Sequence, residues 1–69
     1  MPASSNSRKR IDVESRLRAE GWVIVRYGPG DHVQWKHPDK QGRVTIDSGP
    51  REIPVGTLRS IYRQAGWKW

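Results

Sequence analysis

The apolar positions of this chain change their spacing as it runs, from helical to extended and back. Val13 and Leu17 stand four apart in a charged stretch, with Ile11 and Ala19 at the flanks, which predicts a short amphipathic helix over residues 9–20. Gly21 supplies its stop. Residues 22–27 are nearly all apolar or β-branched and end at the breaker Gly28-Pro29-Gly30, the pattern of a buried strand. From residue 32 to 37 the chain alternates, with Val33 and Trp35 on one side and His32, Gln34 and Lys36 on the other. His37 shares the parity of Val33 and Trp35, so the two histidines are not expected to converge. The turn residues 38–42 lead into a second alternating set over residues 43–47, where Val44 and Ile46 oppose Arg43, Thr45 and Asp47. A loop over residues 48–53 follows, and Pro54 opens a closing helix with Leu58, Ile61 and Ala65 in one stripe and Gly66 as its stop. The predicted order is α-β-β-β-α, an α+β fold in which a three-stranded antiparallel sheet carries two helices on one face.

Length and composition narrow the frame. The chain has 69 residues, room for one small domain, here residues 9–69; residues 1–8 are expected to be a flexible tail, given the Ser- and Asn-rich start. A chain this short buries only about 60% of its unfolded surface. It has no cysteine, which removes disulfides and thiolate metal sites, and no apolar run long enough for a membrane span or a signal peptide. The cytoplasm is the expected setting. Thirteen Lys and Arg against seven Asp and Glu give a net charge of +6, a field that attracts polyanions, nucleic acid first and acidic protein second. Of the four tryptophans, Trp22 and Trp35 hold core-like positions, whereas Trp67 and Trp69 follow the last helix, where they can face solvent or a partner.

The candidate chemistry is sparse. Acidic residues are scattered, and the two histidines sit at an odd strand interval, so no metal site is expected. Gly28-Pro29-Gly30 lacks the lysine and helix of a nucleotide-binding loop, and Thr57 and Ser60 have no histidine or acid at a spacing that would make a hydrolase triad. His32 remains. Histidine is the side chain whose ordinary titration falls near neutral pH, and a glycine-rich turn sets this one on the first position of a strand. Two readings stay open from the turn alone: a polar turn residue, or a proton-transfer group on a cationic surface. RNA cleavage without a metal asks for such a group at the 2′-hydroxyl or the leaving oxygen and for cations at the phosphorane, which Lys36 on the same face and Arg43 across the hairpin can supply.

Residues 52–66, beginning Glu52-Ile53-Pro54-Val55-Gly56-Thr57-Leu58 and ending Gln64-Ala65-Gly66, resemble the C-terminal helix of HicA-type toxins, also called the YcfA family. So do Gly21-Trp22-Val23-Ile24-Val25-Arg26, the Gly30-x-His32 turn, Lys36-His37-Pro38 and Gly42-Arg43-Val44-Thr45-Ile46, in the same order and at similar spacing. The resemblance spans roughly residues 9–67. It implies a fold like a double-stranded-RNA-binding domain, a messenger RNA interferase and a HicB-type antitoxin as partner; with no ligand cluster in the sequence, no cofactor is expected. It also implies that His32 is the catalytic residue; beside it, Gly30 of the turn and Gln34, Lys36 and Arg43 on the polar face of the hairpin are the expected RNA-binding set. Two departures bear on activity. Asp31 stands where many members have a small residue, placing a negative charge beside the histidine, and Asp47-Ser48-Gly49 replaces the Pro-x-His that many relatives carry after the third strand. The alternative these departures support is a weak or inactive RNA-binding regulatory module of the same fold.

Overall fold

The computed structural model describes residues 7–69. Five elements follow in order: α1 (Arg10–Ala19), β1 (Val23–Tyr27), β2 (His32–Lys36), β3 (Val44–Asp47) and α2 (Val55–Ala65). The strands form one antiparallel sheet in the order β1-β2-β3. The expected α-β-β-β-α architecture, two helices against a three-stranded sheet, is the one observed. Most of the tail assigned to residues 1–8 lies outside the described residues. Ser7 and Arg8 themselves hydrogen bond to the fold: Ser7 Oγ donates to Asp12 Oδ2 at 2.6 Å, and the Arg8 carbonyl accepts from the Ile53 N–H at 2.8 Å. That second bond belongs to a short antiparallel bridge, Lys9 opposite Glu52, which ties the start of α1 to the loop before α2.

One hydrophobic cluster fills the space between helices and sheet. β2 contributes Val33 and Trp35, β3 contributes Val44 and Ile46, α1 only Val13 and Leu17, and α2 Leu58, Ile61, Tyr62 and Ala65. The stripe expected on α2 is buried, with Tyr62 added to it. Pro54 stands one position earlier than expected, as the cap before α2, where its carbonyl accepts the Leu58 N–H at 2.9 Å.

Both helices stop by the same device. Gly21 (φ 96°) and Gly66 (φ 78°) take the left-handed conformation at the turn out of the helix. The following tryptophan N–H then bonds five residues back, Trp22 to the Leu17 carbonyl at 2.9 Å and Trp67 to the Tyr62 carbonyl at 2.8 Å. Each indole folds under its own helix end and is buried. Trp67 is therefore a core residue, while Trp69 remains 44% exposed beside the Tyr62 ring.

Trp67 also joins the two helix ends, because its indole N–H donates to Glu20 Oε1 at 2.7 Å and the Arg16 guanidinium lies 4.0 Å over its ring. Burial opposes ionisation of Glu20. The Trp67 and Arg16 hydrogen bonds and the Arg16 and Lys40 charges outweigh it, holding the carboxyl below its ordinary 4.5. A carboxyl depressed in the folded state contributes stability above the unfolded value that is lost as pH falls through the folded one. Thermal melts are therefore expected to drop on acidification below pH 4.5, and Glu20→Gln, which keeps the acceptor for Trp67, is expected to flatten that drop.

The expectation that residues 22–27 form a buried strand is corrected. Trp22 is buried, but it precedes β1, and within β1 only Ile24 is half-buried. Two causes combine. β1 is an outer strand of the sheet, and a β-bulge between Ile24 and Arg26 breaks the alternation. Ile24 faces the core opposite Trp35, Val25 is the extra residue, and Arg26 pairs with Gln34 on the outer face. A regular strand would have turned Arg26 toward the core with Ile24, where an unpaired guanidinium costs several kcal/mol.

Candidate nucleic-acid interface

The face of the sheet away from the helices carries the candidate site. Cross-strand registers set its rows: His32 opposite Asp47, and Arg26, Gln34 and Thr45 side by side across all three strands. Lys36 stands beyond Gln34 on β2, opposite Val23, and Arg43 lies just before β3. Arg43 Nη1 donates to Gln34 Oε1 at 2.5 Å, so the guanidinium leans diagonally over β2. Arg26, Lys36 and Arg43 thus gather around Gln34. None of the three makes an ion pair among the described residues.

Much of the remaining positive charge is committed to the fold. Arg8 pairs with Glu52, Arg10 with Glu14 and Arg16 with Glu20. Arg18 lies 5.2 Å from the Trp35 ring centre and Arg59 4.9 Å from that of Trp69, while Lys40 donates to the Ala65 carbonyl at 3.1 Å. Six of the 13 cations are thereby held by carboxylates, rings or a helix end. The net charge of +6 is a poor map of the site by itself; of the seven other cations, Arg26, Lys36 and Arg43 stand on the outer sheet face.

His32 sits at the other end of this face. Its carbonyl accepts the Gly28 N–H at 2.7 Å, closing a tight turn through Pro29, Gly30 and Asp31. Gly30 has φ 66°, and no atom crowds its open side, so a ligand can approach the backbone there. The turn is clamped from β3's exit: Ser48 donates to the Asp31 carbonyl through both its N–H (2.7 Å) and its hydroxyl (3.1 Å). The Asp47-Ser48-Gly49 segment therefore fixes the residue before His32. The imidazole itself is exposed and makes no hydrogen bond among the described residues. Two carboxylates flank it, Asp31 by sequence and Asp47 by register. Asp31 Oδ2 lies over Gly49, 2.9 Å from where a Cβ there would stand.

His37 serves the fold instead. β2 ends at Lys36, and the His37 ring turns under α1, where Nδ1 accepts the Asp39 N–H at 3.0 Å. That leaves the proton on Nε2, which donates to the Glu20 carbonyl at 2.8 Å. Its ring meets Trp22 edge-on at 5.4 Å. The two histidines stand at opposite ends of β2 and do not converge.

Of the residues expected at the site, Gln34, Lys36 and Arg43 form one cluster, and His32 with Gly30 forms a second at the far end of the same face. Arg26 was not among them. A lone arginine inside an apolar run was the signal, but its side of the sheet depends on the bulge. Among the described residues, no three His, Cys, Asp or Glu side chains come together as metal ligands, and no helix is long and apolar enough to cross a membrane.

No curated protein matches the chain. The family model for the HicA toxin of bacterial toxin-antitoxin systems matches residues 11–67, a span that contains α2, the Gly30-x-His32 turn and every cation of the outer sheet face. With most of its length accounted for in this way, the chain belongs to the HicA family, the toxin half of bacterial toxin-antitoxin pairs.

Proposed function

We propose that the chain is an endoribonuclease that cuts messenger RNA, with His32 transferring the proton and the outer face of the sheet holding the strand. The observation that carries this reading is the exposed imidazole on the same face as three uncommitted cations, in a chain of the HicA family. The 2′-oxygen loses its proton and attacks the adjacent phosphorus, the bond from phosphorus to the 5′-oxygen breaks, and that oxygen leaves with a proton. His32 acts at one of these two protons. Arg26, Lys36 and Arg43 offset the charge that develops on the phosphorane oxygens, and Gly30 lets the backbone come close. The products carry 2′,3′-cyclic phosphate and 5′-hydroxyl ends.

Because the nucleophile belongs to the substrate, RNA is expected to be cut and DNA of the same sequence left intact, in the presence of a chelator. Loss of activity in EDTA with rescue by a divalent ion would count against the mechanism. The strand's path is tested separately. Each phosphate contact on a single strand contributes about 0.7 to the slope of log affinity against log salt. Lys36→Ala and Arg43→Ala are each expected to lower RNA affinity and flatten that slope by about this much, whereas Arg8→Ala is expected to change neither. An unchanged slope in the Lys36→Ala, Arg43→Ala double variant would place the RNA elsewhere.

The carboxylates of Asp31 and Asp47 beside His32 favour a second reading, an RNA-binding module that does not cut, since both repel a phosphate. RNA bound and recovered whole selects it. In either reading a HicB-type antitoxin is the expected partner, covering the cationic face, and the Lys36 and Arg43 variants are expected to weaken that complex too.

A further inference from the structure

The two outer strands of the sheet are finished differently. On β3 the Thr45 N–H is satisfied by Gln64 Oε1 of α2 at 3.0 Å. On β1, no loop or side chain among the described residues bonds to the backbone of residues 23–27 from outside the sheet. Among the described residues, the same strand carries three of the six large apolar side chains that stand exposed: Val23 at 56%, Val25 at 49% and Tyr27 at 74%. Val23 and Val25 line an open groove of about 640 Å³ with Lys36, Gly21 and the turn at residues 37–41.

We propose that β1 is a docking edge for an extended segment of a partner protein that adds to the sheet as a fourth strand and presents both apolar and acidic side chains on the outer face. Backbone pairing along the edge gives affinity, and alternate side chains give specificity. Among the side chains that face outward, apolar ones cover Val23 and Val25 and carboxylates meet Lys36 and Arg26, neither of which makes an ion pair among the described residues. The charge selects among occupants. A second copy would bring another +6 and set arginine against arginine along the edge. RNA would use the cations but would leave the valines and the backbone edge unserved. The bulge and Arg26 fit the same picture, because both blunt an edge against indiscriminate strand pairing while leaving room for a short segment that answers the charge. This inference does not rest on cleavage by His32.

The test is amide NMR on the full ¹⁵N-labelled chain, titrated with a capped peptide whose every second residue is in turn Val and Glu with Thr between (Thr-Val-Thr-Glu-Thr-Val-Thr-Glu), with the counterpart carrying Lys for Glu and with oligouridylate. The acidic peptide is expected to shift the amides of residues 23–27 and 36–41 saturably, and the basic peptide to leave them in place. Val25→Asp and, independently, Lys36→Glu are expected to weaken the acidic peptide by about tenfold or more. The proposal is overturned by an acidic peptide that leaves β1 unmoved at millimolar concentration, or by equal shifts from both peptides. It is also overturned by β1 shifts that grow with protein concentration alone, which identify a second copy, and by RNA that moves β1 while the acidic peptide does not.

Discussion

Replacing His32 by alanine is expected to lower RNA cleavage by the purified chain by about 10²–10⁴-fold, the range a positioned proton-transfer group contributes. The structure makes this a clean experiment. The ring is exposed, holds no hydrogen bond among the described residues and faces away from the hydrophobic cluster, so its removal is expected to leave the circular dichroism and the melting temperature unchanged. The turn that presents it is held by backbone groups, the His32 carbonyl and the Asp31 carbonyl, which alanine retains. RNA affinity is expected to survive as well, because Lys36, Arg43 and Arg26 lie toward the other end of the face. A folded His32→Ala chain that cuts at the wild-type rate removes the assignment. A chain that fails to fold returns His32 to the role of a turn residue.

Trp35→Ala is expected to remove half or more of the folding stability. Trp35 is 1% exposed, lies at the middle strand of the sheet and faces the helices. Truncating a buried tryptophan costs about 3–5 kcal/mol, and a domain of this length has about 3–10 kcal/mol in total. The guanidinium of Arg18 over the same ring loses its partner too. Trp35→Phe is expected to be far milder: it keeps most of the volume and removes an indole N–H that has no hydrogen-bond partner where it is buried. Trp67→Phe offers the contrast, because that N–H is used by Glu20 and its loss frees the carboxylate. Chemical denaturation of the three variants is the measurement, and a Trp35→Ala chain with a cooperative transition near that of the wild type would contradict the packing described.

The elements and their order were legible because most of this fold rests on periodicities within single segments. Leu58, Ile61 and Ala65 mark the buried stripe of α2; Val33 and Trp35, then Val44 and Ile46, mark the buried sides of the hairpin; and those parities put His32, Gln34 and Lys36 on the outer face. What was missed depends on relations between segments. The apolarity of residues 22–27 cannot distinguish an inner strand from an outer one, and the bulge that turns Arg26 outward belongs to the pairing with β2 rather than to β1 alone. The burial of Trp67 follows from a carboxylate 47 residues earlier. His37 had the parity of a core residue but ended the strand instead, because its ring nitrogens found backbone partners at the end of α1 and in the turn after β2. The role of Ser48 was hidden in the same way: its segment read as a departure from relatives, and only the fold shows it bonded to the residue that precedes His32.

The most direct test of the central claim is induced expression of the wild-type and His32→Ala chains in a bacterium without the antitoxin, followed by growth and by mapping of transcript ends. The wild type is expected to arrest growth and fragment messenger RNA, leaving cyclic phosphate ends, while His32→Ala accumulates to the same level with growth and transcripts unaffected. Growth arrest by both chains, or arrest by the wild type with its transcripts intact, would contradict the account.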